Sequence, residues 1–179
     1  MKLSLVTSIS LFTIISGLLA EPISDDPVVS PKKSFAITQT HVEGNGYTTT
    51  VTFKNSRKSF VLQPSQMDWR GFYTVSPDER WVLRIQKIGS GDDNAFLYEV
   101  KDEDIIPVQP NLGQTAWGFH EKVSAYENGS LYHTGFEFVA WDSSGNLVLK
   151  MHGSGGDQAH QVKDFVVKYN LFNKQFTKG

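Results

Sequence analysis

Five histidines, His41, His120, His133, His152 and His160, are the side chains of this chain best suited to proton transfer or metal ligation. His120-Glu121 opens like the zinc-protease motif H-E-x-x-H, but position 124 is serine, so the second histidine is missing. His152 and His160, with Asp157 between them, share one glycine-rich loop. A metal centre needs three or four converging ligands, so this pair reads as a polar loop and no metal is assigned. Gly89-Ser90-Gly91-Asp92-Asp93-Asn94 offers three oxygen-bearing side chains, as calcium turns do. The D-x-D-x-D-G spacing and the following bidentate glutamate are absent. A phosphate loop would need Gly-Lys-Ser/Thr, and a dinucleotide loop would open a helix, whereas Gly89 and Gly91 precede a strand pattern. The segment reads as a solvated hairpin loop.

Nucleophiles are equally sparse. The chain has no cysteine, which excludes thiol catalysis, thiolate metal sites and disulfides. No serine sits in G-x-S-x-G. Asp102 and Asp104 could serve a glycosidase only if folding set them at working distance, and acids in a turn need no such role. No catalytic residue and no cofactor is assigned. Asn128-Gly129-Ser130 has the form of a glycosylation acceptor. Among the tryptophans, Trp81 falls in a strand pattern and should be core. Trp69, between Asp68 and Arg70, is placed for exposure, where it could be a platform for a sugar or a protein. A domain of this size also needs large residues to cover its core. The binding candidates are thus the loop residues Asp92, Asp93, Asn94, His152, Asp157 and His160, together with Trp69.

Charge narrows the partners. Lys and Arg total 17 against 19 Asp and Glu, and Lys32-Lys33 and Arg57-Lys58 are pairs rather than patches. A weakly acidic chain without a basic block has no electrostatic case for nucleic acid. Lys2, the apolar run Leu3 to Leu19 and Ala20 form the pattern of a secretory leader, with cleavage expected after Ala20. The run carries six hydroxyl residues, too many for a confident membrane span, so no stable anchor is expected after cleavage. The chain is therefore expected outside the cytoplasm, secreted or periplasmic. What remains is one domain of about 159 residues, large enough to fold without disulfides.

The elements that must position these residues are mostly strands. Glu21 to Lys33 holds Pro22, Pro27 and Pro31 and reads as a tether. Phe35–Thr40 and Tyr47–Phe53 flank Gly44-Asn45-Gly46 as a hairpin, followed by a short strand at Phe60–Leu62. Gly71–Val75, Trp81–Ile88 and Ala95–Val100 form a meander, with Ile105–Val108 as a short edge. Trp81–Ile88 alternates, with Leu83, Ile85 and Lys87 on one face and Val82, Arg84 and Gln86 on the other. Leu112, Thr115-Ala116, Phe119 and Val123 recur at the helical period and predict one helix over about Gly113 to Ala125. Phe136–Ala140, Leu147–Met151, Asp164–Asn170 and Phe172–Phe176 complete the chain.

Two stretches match when shifted by about 66 residues: Trp81-Val82-Leu83-Arg84-Ile85 falls on Leu147-Val148-Leu149-Lys150-Met151. Ser76-Pro77-Asp78-Glu79-Arg80-Trp81 resembles the S-P-D-G turn of WD40-like and TolB-type β-propeller repeats. Asp142-Ser143-Ser144-Gly145-Asn146-Leu147 resembles its looser D-x-x-G-N-L form. Glu79 departs from the pattern, standing where those repeats favour glycine. The resemblance implies a mainly β fold: antiparallel meander sheets from two blade-like repeats, about 71–108 and 136–176, with one short helix between them. Closed propellers usually need four or more blades, so two units must pack on each other or on a partner chain. The motif residues make turns, so the resemblance implies binding or scaffolding rather than catalysis.

The leading expectation is an exported, non-enzymatic β-domain that binds a protein or carbohydrate partner. Its two glycine loops, Gly89–Asn94 and Gly153–Gln161, would lie at one end of the sheets. The alternatives are a small extracytoplasmic hydrolase and an oligomer in which propeller-like units complete one another.

Overall fold

The computed structural model of the chain describes residues 26–108, 111–124, 131–155 and 161–179. The leader pattern, Asp157, His160 and Asn128-Gly129-Ser130 lie outside these residues. The described chain is mainly β, with antiparallel sheets and one helix, as expected. It contains three meanders of four strands, not two. Sheet 1 comprises β1 (Val28–Val29), β2 (Phe35–Val42), β3 (Gly46–Phe53) and β4 (Ser59–Val61). Sheet 2 comprises β5 (Gly71–Val75), β6 (Trp81–Lys87), β7 (Asp93–Lys101) and β8 (Asp104–Pro107). After α1 (Leu112–Ser124), sheet 3 comprises β9 (Tyr132–Trp141), β10 (Asn146–Ser154), β11 (Gln161–Asn170) and β12 (Gln175–Lys178). Each sheet runs in chain order from its first strand to its fourth. That is the strand order of a propeller blade.

The third unit had its own signature. Ser30-Pro31-Lys32-Lys33-Ser34-Phe35 repeats the S-P-x-x-x-aromatic pattern of Ser76 to Trp81. In both turns the serine hydroxyl accepts from the amide that opens the next strand: Phe35 N at 3.1 Å and Trp81 N at 3.0 Å. Asp142 does the same for Asn146 N at 2.9 Å. One residue in each turn lies in the left-handed region: Lys33 (φ 62°), Glu79 (φ 65°) and Gly145 (φ 76°). Glycine serves there at least steric cost, which explains why Glu79 looks out of place in sequence. The stretch read as a tether is thus partly sheet, since Val28 and Val29 pair with Ile37 and Ala36.

Two cores separate the three sheets. Phe35, Ile37, Val51 and Phe53 of sheet 1 pack on Tyr73, Val75, Val82 and Tyr98 of sheet 2. Trp81, Leu83, Ile85 and Leu97, on the other face of sheet 2, pack on Phe136, Leu147, Leu149 and Met151 of sheet 3, with Leu112 and Ala116 of α1. Sheet 2 is therefore the middle layer. The alternation read along β6 is correct, but both of its faces are buried: Arg84 is only 1% exposed and Gln86 is fully covered. Asn111 caps α1, its side-chain oxygen accepting from Gly113 N at 2.9 Å. No helix among the described residues is long and apolar enough to cross a membrane.

Candidate functional site

The buried polar residues of β6 hold the segment that enters β5. Arg84 donates from Nε and Nη2 to Gln86 Oε1, at 3.0 and 2.8 Å, and from Nη1 to the carbonyl of Pro64 at 3.0 Å. Its guanidinium lies over the rings of Tyr73 and Phe96, each 5.7 Å from the ring centre. Gln86 Nε2 donates to the carbonyl of Trp69 at 2.7 Å, and Tyr98 donates to the carbonyl of Gln63 at 2.5 Å. From sheet 1, the Gln39 amide brackets Gly71, donating to its carbonyl at 2.9 Å and accepting from its N–H at 2.8 Å. Tyr47 and Met67 exchange backbone hydrogen bonds of 2.6 and 3.1 Å. Residues 63–70 lie between strands, yet side chains from two sheets bind the carbonyls of Gln63, Pro64 and Trp69 and both backbone groups of Gly71. Trp69 is thereby placed on a fixed support.

Around it is a cavity of about 630 Å³, lined by His41, Tyr47, Asp68, Trp69, Arg70, Phe72, Ile85, Lys87 and Asp93. That volume lies within the range of about 300–1,000 Å³ usual for small-molecule sites. Trp69 is 37% exposed and Phe72 45%. The Lys87 ammonium lies 5.1 Å from the centre of the Trp69 ring, and the Arg70 guanidinium 5.4 Å from that of Tyr47. His41 meets the Tyr47 ring edge-on at 5.1 Å. Lys87 and Asp93 are cross-strand partners. Burial pushes the Asp93 carboxyl above its ordinary value, although the charges of His152 and Lys87 pull it back down.

The loop candidates separate into different tasks. Asp92 is a strut: its carboxylate accepts from Thr134 N at 2.8 Å and from Thr134 Oγ1 at 3.1 Å, joining sheet 2 to β9. Asn94 accepts from the amide of Ala95 at 2.9 Å and sits against Gly113, where any side chain would overlap it. Asp93 opens β7 and His152 lies within β10, in strands rather than in the loops expected, and the two border the same space above Gly135. Trp69 and Asp93 line the cavity and His152 lies next to Asp93, whereas Asp92 and Asn94 do not line it. Tyr47, Arg70 and Lys87 were not among the candidates read from sequence, and His41 was named only as one of the five histidines. They come from the β2–β3 hairpin, a linker and the end of β6, which meet only when sheets 1 and 2 stack. Among the described residues no group of three or more His, Asp or Glu could hold a metal ion.

A second depression, between α1 and β12, is lined by Gln114, Thr115, Phe119, Lys122, Lys174 and Phe176. Among the described residues its wall holds no acid, unlike that of the Trp69 cavity, which carries two carboxylates and two cations.

No protein-family model matches this chain, and no curated protein matches it. Among solved structures, the crystal structure of TolB from Acinetobacter baumannii aligns with a TM-score of 0.42 at 8% identity. The alignment covers 85% of this chain and 31% of that one, so this chain spans about a third of that length. The blade description rests on strand order and on the three turns, not on this likeness.

Proposed function

We propose that the protein is an exported, non-enzymatic β-domain that binds a ligand or a segment of a partner in the cavity around Trp69. The observation that carries this reading is a partly exposed tryptophan on a rigid backbone, beside Lys87 and Asp93, in a cavity of ligand size. Exposed aromatic rings on fixed supports cost little entropy to engage, which is why binding sites favour them. The leader pattern of residues 1–20 supports export, and the blade-like strand order supports a propeller-type scaffold. Thermal-shift screening of the purified domain against small polar ligands tests the reading. A ligand that stabilises the wild type and not Trp69→Ala supports it. Equal stabilisation of both proteins would remove the cavity from consideration.

The hydrolase reading keeps one supporting observation: Asp68, Asp93 and His41 line the same cavity, and burial raises the Asp93 carboxyl. Incubation with chromogenic glycosides and esters decides between the two readings. Turnover by the wild type that vanishes in Asp93→Asn would favour hydrolysis over binding alone.

A further inference from the structure

We infer that the Trp69 cavity is built for a neutral carbohydrate, a class that rests on the binding reading above. Its wall carries two carboxylates, Asp68 and Asp93, and two cations, Arg70 and Lys87. An anion would meet the acidic pair and a cation the basic pair, and like charges at close range oppose binding. A lipid or other apolar ligand would desolvate all four groups without replacing their hydrogen bonds. Within the wall, Lys87 faces Asp93 across the strand pair, with His152 beside it.

Sugar hydroxyls suit such a wall, because each one both donates and accepts. A carboxylate can accept a hydrogen bond from it while a neighbouring ammonium or guanidinium donates to its oxygen. Three aromatic rings, Tyr47, Trp69 and Phe72, line the same cavity, together with Ile85 and His41. A pyranose has an apolar C–H face and a polar rim, and an amphipathic aromatic platform covers the first while the charged groups reach the second. Lys87 over Trp69 and Arg70 over Tyr47 place a donor beside each of these rings. The cavity volume of about 630 Å³ accommodates more than one ring. The support is preorganised, since Gln86 and Gln39 hold the backbone at Trp69 and Gly71 before any ligand arrives.

The test is an NMR titration of the full domain, following the tryptophan indole resonances. The probes are maltotriose, cellotriose, mannotriose, galactotriose and tri-N-acetylchitotriose, with the tripeptides Gly-Gly-Gly and Ala-Phe-Lys in a parallel arm. At least one trisaccharide should shift the Trp69 indole signal saturably. Trp69→Ala and Lys87→Met should each weaken that binding about tenfold or more while keeping the wild-type circular dichroism. Two substitutions on different elements guard against a folding artefact. A Trp69 shift with a peptide and none with a sugar would overturn the carbohydrate class and leave the binding reading standing. No Trp69 shift in either arm would overturn both. Sugar binding that persists unchanged in both variants would overturn the assignment of the site.

Discussion

The carboxylate of Glu79, in the turn between β5 and β6, accepts hydrogen bonds from the Ser34 hydroxyl and the Lys32 amide in the turn between β1 and β2. One residue thus fills a left-handed turn position in sheet 2 and caps the equivalent turn in sheet 1. The departure from glycine at this position is an inter-sheet tie. A glycine would suit the backbone at φ 65° and lose the connection.

Replacing Glu79 with glutamine should cost about 1–3 kcal/mol, because charge-assisted hydrogen bonds at a covered site become neutral ones. Burial by itself would raise this carboxyl, but bonds from Ser34, Ser30 and the Lys32 and Ser34 amides outweigh burial and hold it below its ordinary value of 4.5. A depressed folded value means that the stabilisation is complete above the unfolded value and lost as pH falls through the folded one. Urea melts between pH 7 and pH 3 check this. The wild type should lose stability across the acid limb, and Glu79→Gln should lose less of it. Parallel acid limbs would show that Glu79 contributes no linkage.

Tyr73 supplies the alkaline counterpart. Burial pushes its hydroxyl up to about 12 from 10.0, against the lowering effects of the Arg84 charge and the 2.7 Å hydrogen bond with Thr49. A raised folded value stabilises fully below the unfolded value and is lost as pH rises through the folded one, so the window runs from about pH 10 to pH 12. Its full size is about 2–3 kcal/mol. Tyr73→Phe should be less stable at neutral pH by about 1 kcal/mol, from the lost Thr49 bond, and should show a shallower alkaline decline. An unchanged slope above pH 10 would contradict the assignment.

Asp92 and Asp93 are neighbours in sequence with opposite expected effects. Asp92→Ala leaves the Thr134 amide without its acceptor and should lower stability by about 1–3 kcal/mol. At Asp93, burial already outweighs the attraction of His152 and Lys87 for the ionised form. Asp93→Asn should therefore leave the melting temperature unchanged or slightly higher, while weakening any ligand held in the cavity. Calorimetry on both variants checks the division. Equal losses would show that the two acids share one structural task.

Much of this protein could be read from local order. The alternation along β6, the glycine and proline turns, and the helical spacing of Leu112, Ala116 and Phe119 are set within a few residues of chain. They predicted the strands, the helix and the division of the β6 side chains between two faces. Three strands of the first sheet were read, but its place as a third four-stranded unit escaped because β1 has two residues and lies among prolines. Its S-P-K-K-S-F turn was the signal available.

Which polar residues are buried was decided by tertiary structure alone. Arg84 and Gln86 look like a solvated face until sheet 1 covers them, and only then must their donors find Pro64, Trp69 and one another. The cavity has the same origin. His41, Tyr47, Trp69, Lys87 and Asp93 come from separate segments, and stacking the sheets brings them to one end. A sequence states the period of each strand. The burial of each face depends on what is packed against it, which is a non-local energy that no spacing records.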